Sequence, residues 1–274
     1  MNVHPFDAAV KLTPLDLPGS YAGASSPAYW NMVGPFGGTS AATAMQSVMQ
    51  HPERLGEPIA LTVNYASALG PGPFTVQATP VRTNRSTQHW TVSLSQLDTS
   101  GAQGVVMTAT AVTAVRRQTW SVNDTPMPTV APPDGSARFT FPGGVEWIKR
   151  YEIRPLAGLI PNIWDGSGTG SLSRLWVRDD PPRSLDFASL AALSDVFFPR
   201  VWLRRATHVP VGTVSMTVHF HADSRQLTQS GEGFLFGQAQ AQTFCNGFFD
   251  QTAQLWSESG TLLVTTNQIV YYKE

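Results

Sequence analysis

Cysteine is almost absent: Cys245 is the only one in 274 residues. An internal disulfide and a thiolate metal site are therefore excluded, and Cys245 reads as a small core residue. Charge is also scarce, with 18 Lys and Arg against 19 Asp and Glu for a formal net charge of -1. That leaves no basic excess to hold a phosphate backbone, which argues against nucleic acid and removes the support for membrane-surface binding. No run approaches the ~18 apolar residues of a membrane span. The start MNVHPFDAAVKL lacks the basic and apolar regions of an export signal. The expectation is a soluble, cytoplasmic protein. Neither GxGxxG nor GxxxxGK[ST] fits the Gly/Ser loop WDGSGTGSLS, and there is no G-x-S-x-G elbow for a serine nucleophile.

What is present is apolar and punctuated. Hydrophobic residues make up 42% of the chain, enough for a sizeable core, and 23 Gly and 21 Pro break it into short segments. Residues 121–145 are Pro/Gly-rich with little apolar periodicity and read as a linker between units at 1–120 and 146–274. Each unit has one helix followed by several strands. In the first, GPFGGTSAATAMQSVMQHP places Ala41, Met45, Val48 and Met49 at helical spacing before Pro52. The Val- and Thr-rich segments IALTVNYAS, FTVQATPVRT, QHWTVSLSQ and VVMTATAVTAV follow. In the second, Ser184 is the expected N-cap of a helix running from 185 to about 198, with Asp186 in its first turn. The strand-like VGTVSMTVHFHA, GFLFGQAQAQT, FFDQTAQLWSES and TLLVTTNQIVYY come after it.

The units also match residue by residue. LTVNY at 61–65 lies over MTVHF at 216–220, a shift of 155 (217 less 62), and SVMQHP at 47–52 lies over SDVFFP at 194–199. This predicts a duplicated α+β unit, one helix on an antiparallel sheet, packed as an intramolecular pseudo-dimer.

Several residues stand out against this background. Asp195 shares its expected helix stripe with Phe187 and Ala191, where a carboxylate is disfavoured by burial and by the C-terminal end of the helix dipole. Exposure at a frayed end, or a pair with Arg200 or Arg204, would be the ordinary explanation; its counterpart in the repeat is Val48. Strict alternation in VGTVSMTVHFH sets Thr213, Ser215, Thr217, His219 and His221 on one face. That face reads either as a wet side or as a site lining, and two such histidines are weak grounds for a metal. Gln268 interrupts an apolar strand, and Gly37 and Gly38 open the first helix where backbone N–H groups carry partial positive charge.

GPFGG, LTVNYASALGPGP, a turn like RxxNS (Arg82, Asn84, Arg85, Ser86), LAALSD, GTVSMTVHFH and LLVTTNQ occur in an order that resembles the acyl-CoA thioesterase II family, proteins of double-hotdog fold. The resemblance implies hydrolysis of an acyl-CoA thioester by water activated at Asp195, with Thr213 and Gln268 orienting it, and no metal or other cofactor. On this chemistry, oxyanion donors are expected among the backbone N–H groups near Gly37 and Gly38 if the halves pack with that helix end facing Asp195. Arg82 and Arg85 sit on a turn where they could meet CoA phosphates, solvated turn arginines being the more usual reading, and a homo-oligomer of double-hotdog chains stays open. The chain departs from the family where an Asp-His pair often follows the Thr; here stand Ser215 and Met216. A non-catalytic acyl or acyl-CoA binding protein is the main alternative. A hotdog hydratase or dehydratase is another, though its GDxNPxH-type motif is missing.

Overall fold

The computed structural model describes residues 3–98, 101–140 and 144–274. Its strands are β1 (Thr13–Pro14), β2 (Ser20–Ala24), β3 (Glu57–Tyr65), β4 (Pro73–Thr83), β5 (Thr87–Leu97), β6 (Gln103–Ala114), β7 (Tyr151–Ala157), β8 (Ser173–Asp179), β9 (Val211–Phe220), β10 (Leu235–Gln240), β11 (Phe244–Cys245), β12 (Phe248–Ser257) and β13 (Leu262–Tyr272). All join one antiparallel sheet in the order β1-β2-β4-β5-β6-β3-β9-β13-β12-β10-β8-β7, with β11 on β12. Cys245 lies on β11 and is exposed, contrary to the expected core position, because it pairs with the exposed Phe248 beside the tight turn at Asn246 and Gly247.

The halves meet at β3 and β9, where Leu61 faces Val218, Thr62 faces Thr217 and Val63 faces Met216. The hydroxyls of Thr62 and Thr217, residues 155 apart in sequence, lie 3.0 Å from each other. That separation equals the repeat shift, so each threonine meets its own counterpart and the local two-fold passes between them. Even an irregularity is duplicated: the β3–β6 register shifts between Pro58 and Ala60, and the β9–β13 register between Ile269 and Val270, where Val214 is the extra residue. Such bulges bend a strand and turn the side chains beyond them.

A short α1 (Pro5–Ala9) precedes β1. The inner face, which includes Leu61, Val63, Met216 and Val218, is covered by α2 (Gly37–Met49) and α3 (Phe187–Leu193) side by side. Alanines line both helices, which allows close approach, and Gly38 takes this furthest. A Cβ there would lie 2.5 Å from the Ala192 carbonyl oxygen. Buried hydroxyls inside this layer return to local carbonyls, Thr43 to Thr39 at 2.9 Å and Ser194 to Leu190 at 2.8 Å, so they cost little.

Two expectations about α3 change. Asp186, not Ser184, is the N-cap, in a reciprocal capping box with Ser189. The helix ends at Leu193 rather than near 198. Pro199 disfavours a helical Phe198, and Arg200, wholly buried at the start of α4 (Arg200–Arg205), donates through Nε and Nη2 to the Phe198 carbonyl. Its Nη1 reaches the Ser171 carbonyl at 3.0 Å. Burial pulls the guanidinium down to about 9. Arg200 therefore has carbonyl partners in place of a carboxylate, and it fixes the segment that carries Asp195. Arg200→Met would strand those carbonyls in the core. It should cost on the order of 3 kcal/mol in urea unfolding, with unchanged stability counting against this bracing role.

The described residues of segment 121–145 lie outside the strands, with one 3-10 turn at Pro133–Gly135, and they pack. Trp176, Phe236 and Trp256 form an aromatic row on the outer face of β8, β10 and β12, and Met127 and Val130 cover it. Trp176 Nε1 donates to the Ala131 carbonyl at 2.8 Å and Trp256 Nε1 to that of Thr125 at 3.2 Å.

Candidate active site

A cavity of about 610 Å³ opens where the start of α2, the end of α3 and the inner face of β9, β12 and β13 converge. Asp195 lies two residues beyond the end of α3, its N–H on the Ala192 carbonyl at 3.1 Å. Its Oδ1 accepts from Gln268 Nε2 at 2.8 Å, and it accepts from the Gly38 N–H as well. Neither Arg200 nor Arg204 pairs with it: Arg204 binds the Gly168 carbonyl.

Desolvation dominates at this carboxyl and pushes it up to about 7, against the opposing pull of the bonds from Gln268 and Gly38. A carboxyl titrating there is a competent base near neutrality. Tyr65 closes the other side, its hydroxyl donating to the Gly37 carbonyl at 2.8 Å. Burial, with the nearby Asp195 charge, holds the Tyr65 phenol well above its ordinary range, so it remains a neutral donor that fixes the Gly37 peptide.

Thr213 reaches the cavity by a route that alternation does not predict. Thr213 pairs with Val270 and Ser215 with Ile269, and the extra Val214 between them reverses the pleat. Thr213 thus joins Met216, Gln268 and Val270 on the inner face, while Ser215, Thr217 and His219 point the other way. The polar face of β9 is therefore not the lining of this site. His221 is also outside it, with Nε2 on Thr265 Oγ1 at 3.0 Å.

The structure brings Asp195, Thr213, Gln268 and Gly37 to one cavity, with Gly38 directly behind Asp195. Arg82 and Arg85 are not among them. They lie at the exposed β4–β5 hairpin, where Arg82 Nε donates to Asn84 Oδ1 at 3.2 Å. The cavity instead meets β5 near Leu94, at the opposite end of that strand. Tyr65 and Gln251 were missed. Tyr65 is signalled by its counterpart Phe220, which lacks the hydroxyl, and Gln251 by the same interruption of an apolar strand face that singles out Gln268.

Symmetry shows how one such site per pseudo-dimer comes about. By the repeat and the strand register, Asp195 corresponds to Val48, Thr213 to Pro58, Gln268 to Ala111 and Gln251 to Trp90. The second position is filled with apolar side chains, and Trp90 there packs on the His51 ring at 4.9 Å.

Similar proteins agree with this architecture. The acyl-CoA thioesterase N-terminal domain profile matches residues 26–114 and the C-terminal domain profile residues 123–272. No curated protein sequence matches significantly. Among solved structures, a conserved protein of unknown function with a hot dog fold from Alicyclobacillus acidocaldarius is 45% identical over 100% of this chain and 99% of its own, at a TM-score of 0.92. An acyl-CoA thioesterase II, TesB2, from Mycobacterium marinum superposes over 98% of both chains at a TM-score of 0.76 and 17% identity. The tesB protein of Mycobacterium avium subs paratuberculosis does so over the same shares at 0.77 and 18%. No helix among the described residues is long and apolar enough to cross a membrane. The chain, with its two helix-on-sheet halves fused into one sheet, belongs to the acyl-CoA thioesterase family and has the double-hotdog fold.

Proposed function

We propose that the protein hydrolyses an acyl-CoA thioester by general-base activation of water at Asp195. The observation that carries this is the Asp195–Gln268 hydrogen bond of 2.8 Å in the wall of the cavity, on a carboxyl displaced to about 7. The water would sit between Asp195 and Thr213. Its oxygen attacks the thioester carbonyl carbon while its proton passes to Asp195. The tetrahedral intermediate then collapses with cleavage of the C–S bond, and the departing thiolate takes the proton back from Asp195.

Gln268 uses its amide N–H to hold Asp195 in place, and the Thr213 hydroxyl oxygen accepts the O–H that the water keeps, which leaves a lone pair of the water free for the carbonyl carbon. For the oxyanion the expectation of two glycine donors narrows to one. The Gly38 N–H is engaged by Asp195, whereas Gly37 faces the cavity with its N–H in no hydrogen bond among the described residues. As the first amide of α2 it carries the positive end of the helix dipole.

A thiol-release assay across straight-chain acyl-CoAs of increasing length tests the reading directly. Thr213→Val, which keeps the shape and removes the hydroxyl, should lower kcat about tenfold while leaving folding intact. Tight acyl-CoA binding without any thiol release would make the protein a binding module instead.

A further inference from the structure

Gln251, on β12, is the direct cross-strand partner of Gln268 and shares its inward face. It is 3% exposed, lines the cavity, and its side-chain amide makes no hydrogen bond among the described residues. A buried amide normally finds partners, and this one has a cavity in place of a partner. Phe249, two residues away on the same face of β12, lines the cavity with it, and the buried apolar part of the lining also includes Phe197, Phe198 and Ile160. Other residues of the lining, Met32, Val33 and Tyr271, are exposed and mark where the cavity meets solvent. Gln251 belongs to the buried part of this lining, against which an acyl group would come to rest.

On the thioesterase reading above, we propose that Gln251 is a specificity residue, and that the preferred acyl group carries a hydroxyl close to the thioester, at its second or third carbon. Adjacent strands lie about 4.8 Å apart. An amide one strand beyond Gln268 therefore meets the chain a few bonds from the carbonyl held at Asp195. A hydroxyl satisfies both functions of the amide, accepting from its N–H and donating to its oxygen. An unsubstituted alkyl chain would cover the amide and leave it unpaired, and sites built for a hydroxyl discriminate strongly on that ground. The repeat supports a dedicated role: the corresponding position is Trp90, which fills its space completely.

The test compares kcat/KM for butyryl-CoA and for both enantiomers of 3-hydroxybutyryl-CoA in the wild type, Gln251→Leu and Gln251→Met, two variants so that a folding defect in one is not decisive. The wild type should prefer one hydroxy substrate by about tenfold or more. Both variants should bring the ratio toward one, through a loss on the hydroxy substrate and a gain on butyryl-CoA. Equal rates in the wild type overturn the proposal. So do equal losses on both substrates in the variants, which would place Gln251 at the reacting carbonyl common to them. If the wild type cleaves neither these esters nor any member of the straight-chain acyl-CoA series, the thioesterase reading fails. Dissociation constants of the same CoA esters for the wild type and Gln251→Leu then still decide the specificity proposal.

Discussion

Asp195→Asn is expected to lower kcat by about 10² to 10⁴, the usual worth of a positioned general base. An asparagine can still accept from Gln268, so the fold around it is retained while the proton acceptor is gone. In the wild type, kcat/KM should fall on the acidic side with a midpoint at about 7, because the protonated carboxyl cannot take a proton from water. That limb should be missing from whatever activity Asp195→Asn retains.

Stability moves in the opposite sense and separates lost chemistry from lost structure. The folded carboxyl titrates at about 7 against an ordinary value of 3.8. Its contribution to stability is therefore fully present below about pH 4 and is lost as the pH rises through 7. At pH 8 the wild type carries a desolvated charge that Asp195→Asn does not, so the variant should melt no lower than the wild type. A variant that is both stable and fully active would remove Asp195 from the mechanism.

The parts of the fold that were legible in the chain are those set by local pattern. The match of LTVNY with MTVHF was readable because both strands are central and alternate regularly, and they prove to be the two that pair at the junction of the halves. The end of α3 was not, since it depends on Arg200 drawing the Phe198 carbonyl into the core. For Thr213 two lines of reasoning disagreed: alternation put it with Ser215, whereas the family resemblance put it with Gln268. The bulge at Val214 resolves this in favour of the inner face, and no local signal marks that bulge except its repetition near Pro58. The hairpin at Arg82 and Arg85 was readable as a turn, but which end of the sheet it occupies relative to Asp195 follows only from the register between strands.

Gly37→Ala should damage activity without damaging the fold. A Cβ at this position would lie 2.8 Å from Asp195 Oδ2 and 3.4 Å from the Tyr65 hydroxyl oxygen. The first contact is shorter than carbon and oxygen tolerate, and the atom best able to yield is the carboxylate, at the free end of a side chain. The backbone has no objection of its own: Gly37 is the first residue of α2, where alanine is acceptable and glycine is the poorer helix former by up to about 1 kcal/mol. Thermal stability should therefore hold or rise slightly. The carboxylate, pushed aside, loses its alignment with Gln268 and with the attacking water, and displacements of about 1 Å in such a site cost about 10² in rate. The decisive measurement is kcat beside the melting temperature of the same preparation. A fall in both would mean that the glycine serves packing, as Gly38 does against Ala192. Full activity would mean that the space beside Asp195 is not where the reaction takes place.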